Sequence, residues 1–191
     1  MLDERTAKSD PALPDGPDKT LLGLSQRNWL LRGLAASRAP FKVVCSPCTL
    51  NYGGNARDGN WDAGFRAERD LILDHVARRV SGQTIFLSGD AHDTMVYEDE
   101  RVFEARACPL DIPDPRDHPG VQAGMFGGAG VAYADTAGHF ALVEARGRDG
   151  HAVLELTLVR EDGSEPYVKR FEEPLPRTPR RRRRRRRGRR R

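Results

Sequence analysis

The sequence predicts an α/β fold, with helices packed on a mixed sheet, and three features carry that prediction. Two strand-like runs, 41–45 and 83–88, each follow a stretch with helical apolar spacing. A series of short alternating runs then fills the C-terminal half. The 83–88 run also stops abruptly at Gly89-Asp90-Ala91-His92, which places polar chemistry at the end of a buried strand. Helix–strand–helix–strand followed by a meander is the element order of an α/β domain.

Residues 1–20 are rich in Asp, Pro and Lys and hold little to bury, which predicts a disordered or loosely attached leader. Residues 24–37 read as a helix, with Ser25 as N-cap and Trp29, Leu30 and Leu34 on the apolar face. A strand from Phe41 to Cys45 follows Pro40. Residues 46–64 read as loop, because Pro47, Gly53, Gly54, Gly59 and Gly64 leave little room for an element. A connection of that length inside a compact domain is more often functional than not.

A second helix, over 66–80, sets Ile72, Val76 and Val80 four residues apart with Leu73 beside them. Ser81-Gly82 ends it, and the 83–88 strand follows. Beyond His92 short strands are expected over 94–97, 101–107, 139–145, 152–159 and 167–171. A hairpin at 146–150 is the clearest turn, with Asp149-Gly150 between two alternating runs. The Pro/Asp-rich stretch 109–120 reads as loop. The glycine cluster at 124–130 lacks the Lys-Ser/Thr of a phosphate-cradling loop and reads as a mobile loop.

Charge is distributed unevenly. The 191 residues carry a formal +4, yet the last 15 hold 12 arginines and no acid, which leaves −8 on the other 176. An acidic body argues against nucleic-acid binding by that body and suits a protein that attracts cations. The arginine tract is expected to be extended and disordered, with non-specific polyanion binding within its reach. The expected organisation is a leader over 1–20, a folded portion over 21–173 and a tail over 174–191. Three cysteines, Cys45, Cys48 and Cys108, with no apolar leader and no 18-residue apolar run, point to reduced thiols, a cytoplasmic setting and no membrane span.

Asp90 and His92 are the leading candidates for chemistry. If extended backbone persists through residue 92, the two side chains project to one side, since strand side chains repeat every second residue. A carboxylate and an imidazole so placed can hold a divalent metal; they can equally close a hydrogen-bonded turn. Cys45-Ser46-Pro47-Cys48 has C-x-x-C spacing, but neither further metal ligands nor a following helix accompanies it, so accidental spacing is favoured over a redox or metal role. His75, His118 and His151 read as surface histidines. Asp135-Thr136-Ala137-Gly138-His139 reads as a satisfied turn, with a second carboxylate–imidazole pair as the alternative.

Three stretches together resemble the PhoD-like (alkaline phosphatase D) branch of the calcineurin-like metallophosphoesterases. They are Leu22 to Leu30 with its Gly23, Gln26 and Trp29-Leu30, Trp61-Asp62-Ala63-Gly64-Phe65-Arg66-Ala67-Glu68-Arg69, and Leu87-Ser88-Gly89-Asp90-Ala91-His92. The resemblance covers about residues 21–160. It implies a two-sheet sandwich of mixed sheets flanked by helices. It also implies a dinuclear site of divalent or trivalent ions, and hydrolysis of a phosphate ester by metal-activated water. Asp90 and His92 then become metal ligands, and Asp62 a further ligand or a substrate contact. Residues 1–82 carry no D-x-H/D, G-D-x-x-D and G-N-H/D series. The resemblance is therefore to the C-terminal portion of such an enzyme, with an N-terminal half as a missing partner.

Overall fold

The computed structural model describes residues 1–51, 59–91, 93–107, 129–135 and 137–175. Two helices and eight strands form among them: α1 Gly23–Ala36, β1 Phe41–Ser46, α2 Arg66–Arg79, β2 Gln83–Ser88, β3 Thr94–Glu98, β4 Phe103–Arg106, β5 Val131–Asp135, β6 His139–Arg148, β7 His151–Arg160 and β8 Tyr167–Pro174. They make a five-stranded sheet in the order β1-β2-β4-β3-β5 and a three-stranded sheet in the order β6-β7-β8. Strands β1, β2 and β4 run parallel, whereas β3 is antiparallel to both β4 and β5. The β1–α2–β2 passage is the helical crossover that parallel neighbours require.

Alternation along the central strands decides the layering. Phe86 faces the helices with Val44, Leu30, Leu34, Ile72, Leu73 and Trp61. Its neighbour Ile85 faces the second sheet, with Phe103, Leu154, Leu156, Leu158 and Phe171. Phe103 and Phe171 meet edge to face across this interface, with ring centroids 4.9 Å apart. The molecule is thus a two-sheet sandwich with helices on one outer face, as the sequence predicts.

Several local expectations are corrected. Residues 1–20, expected as a loose leader, pack against the domain. Leu2 is buried and its N–H donates to Cys45 O, 2.9 Å away. The Lys19 ammonium lies 4.4 Å from the Phe65 ring centroid and donates to Pro11 O and Leu13 O. Buried hydrogen bonds and one cation–π contact thus order a segment that has few apolar side chains.

Ser25 does not cap α1, and Trp29 is exposed while Leu30 and Leu34 are buried. The helix start is held instead by the Glu68 carboxylate from α2, which accepts the N–H groups of Leu21 at 2.6 Å and Leu22 at 3.3 Å. Strand β5, absent from the expected set, pairs with β3. The β6–β7 turn tightens to Asp149-Gly150, both at positive φ, a two-residue hairpin turn whose twist matches the flanking strands. Gly82, at φ +71, lets the chain pass from α2 into β2, since a Cβ there would lie 2.4 Å from Pro40 O.

The expectations for Cys108, His118, the 109–120 loop and most of the 124–130 cluster lie outside the described residues, as does the arginine tract from residue 177.

Candidate functional site

One end of the five-stranded sheet collects the polar chemistry. The parallel strands β1, β2 and β4 terminate there side by side at Ser46, Ser88 and Arg106. Strand β3 begins beside them at Thr94, and β5 ends at Asp135. Open α/β sheets bind ligands outside the carboxyl ends of their parallel strands. A cleft of about 710 Å3 opens at this end, with Glu4, Arg5, Lys8, Cys48, Asn60 and Asp90 on its walls.

Asp90 stands on this cleft as an exposed side chain. The extended geometry expected through residue 92 is not observed. Strand β2 ends at Ser88, and Asp90 takes φ +74, a left-handed conformation that Asp tolerates because its short polar side chain bonds locally. That turn breaks the two-residue repeat, so alternation no longer predicts a shared face for residues 90 and 92. His92 lies outside the described residues.

Buried polar groups from β4 hold the surrounding rim. The Glu104 carboxylate accepts Ser88 Oγ at 2.6 Å, Leu50 N at 2.7 Å and Asn51 N at 3.0 Å. Arg106, almost wholly buried, donates to both oxygens of Asp93, to Thr49 Oγ1 and to Asn51 O. Together they tie the β1 exit loop and the β2–β3 connection to the sheet. From the other side, Glu4 accepts Ser46 Oγ at 2.6 Å, Cys48 N at 2.8 Å and Trp61 Nε1 at 3.1 Å. Burial pushes the Glu4 carboxyl above its usual range, against the pull of those donors.

The Trp61–Arg69 segment supports the site from behind. The Asp62 carboxylate accepts Arg69 Nη1 at 2.9 Å and Arg66 Nε at 3.2 Å, and it does not line the cleft that Asp90 lines. Arg69 also donates to Leu50 O, which fastens the β1 exit loop to α2.

Cys45 and Cys48 are both reduced. Burial, followed by the Glu4 and Asp90 carboxyls, pushes the Cys48 thiol up to about 12, and Lys8 only partly offsets them. A thiol held protonated in this way is a poor nucleophile. At the far edge of the sheet Asp135, Ala137 and His139 are joined by hydrogen bonds. Asp135 Oδ1 accepts Ala137 N at 3.0 Å, His139 Nδ1 meets Ala137 O at 2.8 Å, and Arg160 Nε donates to Asp135 Oδ2 at 2.9 Å. His75 is half-buried, with Nε2 3.0 Å from Leu31 O.

Among the described residues no three His, Cys, Asp or Glu side chains stand close enough together to hold a metal ion. The carboxylates on the described part of the cleft are Asp3, Glu4 and Asp90, of which Asp3 accepts turn amides and Glu4 accepts Ser46, Cys48 and Trp61. The described residues do not by themselves fit a dinuclear centre. Sequence reasoning missed Glu4, Glu104 and Arg106. For β4 a signal existed, since Glu104 and Arg106 interrupt the otherwise apolar run Val102 to Ala107 with alternating charges.

Two stacked sheets with helices on one outer face and a polar cleft at the strand ends define the molecule as an α/β sandwich. A solved structure of PhoD superposes with a TM-score of 0.57 at 17% identity, covering 91% of this chain and 39% of that one. The sequence profile of the PhoD-like phosphatases matches residues 1–116, more than half of the chain. The chain belongs to the PhoD-like phosphatase family. Alkaline phosphatase D of Bacillus subtilis (strain 168) is 28% identical over 109 residues, covering 48% of this chain and 18% of that protein. The chain thus spans less than a fifth of that relative and about two-fifths of the solved PhoD chain.

Proposed function

We propose that this chain carries the C-terminal part of a metal-dependent phosphoesterase centre, acting on phosphomonoesters or phosphodiesters. The observation that carries the reading is the placement of Asp90. Its carboxylate stands in a left-handed turn at the end of a central parallel strand, on the wall of the sheet-end cleft. Membership of the PhoD-like family supports phosphate-ester chemistry and does not favour the alternative of a non-catalytic acidic domain tethered by its arginine tail. Asp90 and His92 are the metal ligands in this reading. Asp62, clamped by Arg66 and Arg69, acts as a strut of the loop rather than a ligand. The remaining ligands come from residues beyond the described part of this chain, consistent with its share of its relatives.

Metal content measured after equilibration with calcium, manganese, zinc or iron tests the assignment. Wild type is expected to retain metal that Asp90→Asn and His92→Ala lose, with p-nitrophenyl phosphate turnover falling in parallel. Equal metal content in all three proteins overturns it. Asn also tolerates the left-handed turn, so the Asp90 variant separates loss of a ligand from loss of fold.

A further inference from the structure

We infer that Arg5 and Lys8 form the phosphate-binding wall of the sheet-end cleft and hold the substrate's phosphate oxygens. This inference rests on the phosphoesterase reading of the same cleft. Both residues line it together with Asn60 and Asp90. They are the first and last residues of a tight turn in which Lys8 N donates to Arg5 O at 3.4 Å. A β-turn brings the Cα atoms of its first and fourth residues within about 7 Å, so both side chains spring from one short segment, and the Lys8 ammonium also lies 5.8 Å from the Phe65 ring centroid.

The turn is anchored on both sides. Asp3 Oδ1 accepts Arg5 N at 3.0 Å and Thr6 N at 2.9 Å, and Gln26 Oε1 accepts Asp3 N at 2.8 Å. Leu2 is buried in the core just before it. An anchored pair loses less conformational freedom on binding than two mobile side chains do.

The segment's acidic groups, Asp3 and Glu4, line the same cleft and are hydrogen-bonded within the protein. Asp3 spends an oxygen on the turn amides, and Glu4 points inward to Ser46, Cys48 and Trp61. Among the described residues the Arg5 guanidinium makes no hydrogen bond or ion pair. The charge of Lys8 reaches the Cys48 thiol, which also feels Asp90, so the cation acts on the same space as the candidate ligand. An Arg fork matches two phosphate oxygens and a Lys adds a compact charge. Among the charged side chains that line the cleft, this pair supplies the cations.

Calorimetric titration of the full chain with inorganic phosphate in metal-free buffer tests the wall without requiring turnover. Arg5→Gln and Lys8→Gln are each expected to weaken phosphate binding about tenfold, the size of one lost charge-assisted hydrogen bond. Arg5→Lys is expected to lose less, and metal-free Asp90→Asn to bind at least as tightly as wild type. Arg5→Gln removes no core contact and Lys8→Gln removes only the contact of the ammonium with the Phe65 ring, and melting temperatures check that each variant keeps the fold. Absence of phosphate binding by wild type, or equal binding by the Gln variants, overturns the inference. A wild type that retains no metal and shows no turnover, with its phosphate binding intact, would instead count against the phosphoesterase reading alone.

Discussion

Arg106 and Asp93 form a buried ion pair across the sheet end, with Arg106 Nη2 3.0 Å from Asp93 Oδ2 and Nε bonded to Oδ1. The pair fastens the connection that carries Asp90 to the last residue of β4. Leaving one buried charge without its partner costs about 3–5 kcal/mol. Arg106→Met and Asp93→Asn are each expected to lower the unfolding free energy measured in urea by that order, with the slope of the transition unchanged. A loss below about 1 kcal/mol for both would show that the pair does not hold this rim.

Glu68 presents the same economy on the helical face. Its carboxylate serves the start of α1 through Leu21 N and Leu22 N and also accepts Thr20 Oγ1 at 2.6 Å. Glu68→Ala strands buried donors at a helix start and is expected to cost about 1–3 kcal/mol. Thermal unfolding followed by circular dichroism measures it.

Acid is expected to act through Asp135. Burial alone pushes that carboxyl up, but the Arg160 guanidinium, Ala137 N–H and Tyr133 hydroxyl outweigh it and hold the group at about 2, against an ordinary 3.8. The folded state therefore favours the ionised form. The resulting stability is present above about pH 4 and is lost as pH falls through about 2. Asp135→Asn lacks this contribution, so the stability gap between wild type and variant narrows over that window in acid titrations of the melting temperature.

Thiol chemistry gives a separate check on the cleft. With its thiol held up at about 12 by burial and the neighbouring Glu4 and Asp90 carboxyls, Cys48 is expected to react slowly with iodoacetamide at pH 8. Peptide mapping in the native state and in urea measures this, and the slow rate should vanish on unfolding. Fast native labelling would show that the carboxyl-lined setting is absent.

Substitution at residue 90 separates backbone from chemistry at the site. Asp90→Val places a β-branched residue at φ +74 and is expected to destabilise the fold by about 1–2 kcal/mol, whereas Asp90→Gly relieves the turn. Both remove the carboxylate. Equal stability of the Val and Gly variants would show that residue 90 is not held in the left-handed conformation.

Much of the secondary structure is legible residue by residue. The four-residue spacing of Ile72, Val76 and Val80 marks α2, and Leu154, Leu156 and Leu158 mark the inner face of β7. Strand β5 escapes notice because Val131 to Asp135 is short and follows glycines, and its apolar pattern acquires meaning only beside β3. Trp29 escapes in the opposite sense: an apolar side chain at helical spacing need not find a partner, and here it stays exposed.

The sequence by itself determined both helices and every strand but β5, that the α2–β2 unit ends in a glycine, a carboxylate and an imidazole, and which family the motifs resemble. Periodicity carries that much because the buried face of an element is written in neighbouring residues. Only the tertiary structure decided that residues 1–8 form a wall of the cleft, that Glu4 reaches Ser46 and Trp61 across 42 and 57 residues of chain, and that Asp90 turns left-handed after β2. Those facts follow from strand order and from buried charges finding distant donors, and neither has a local period to read.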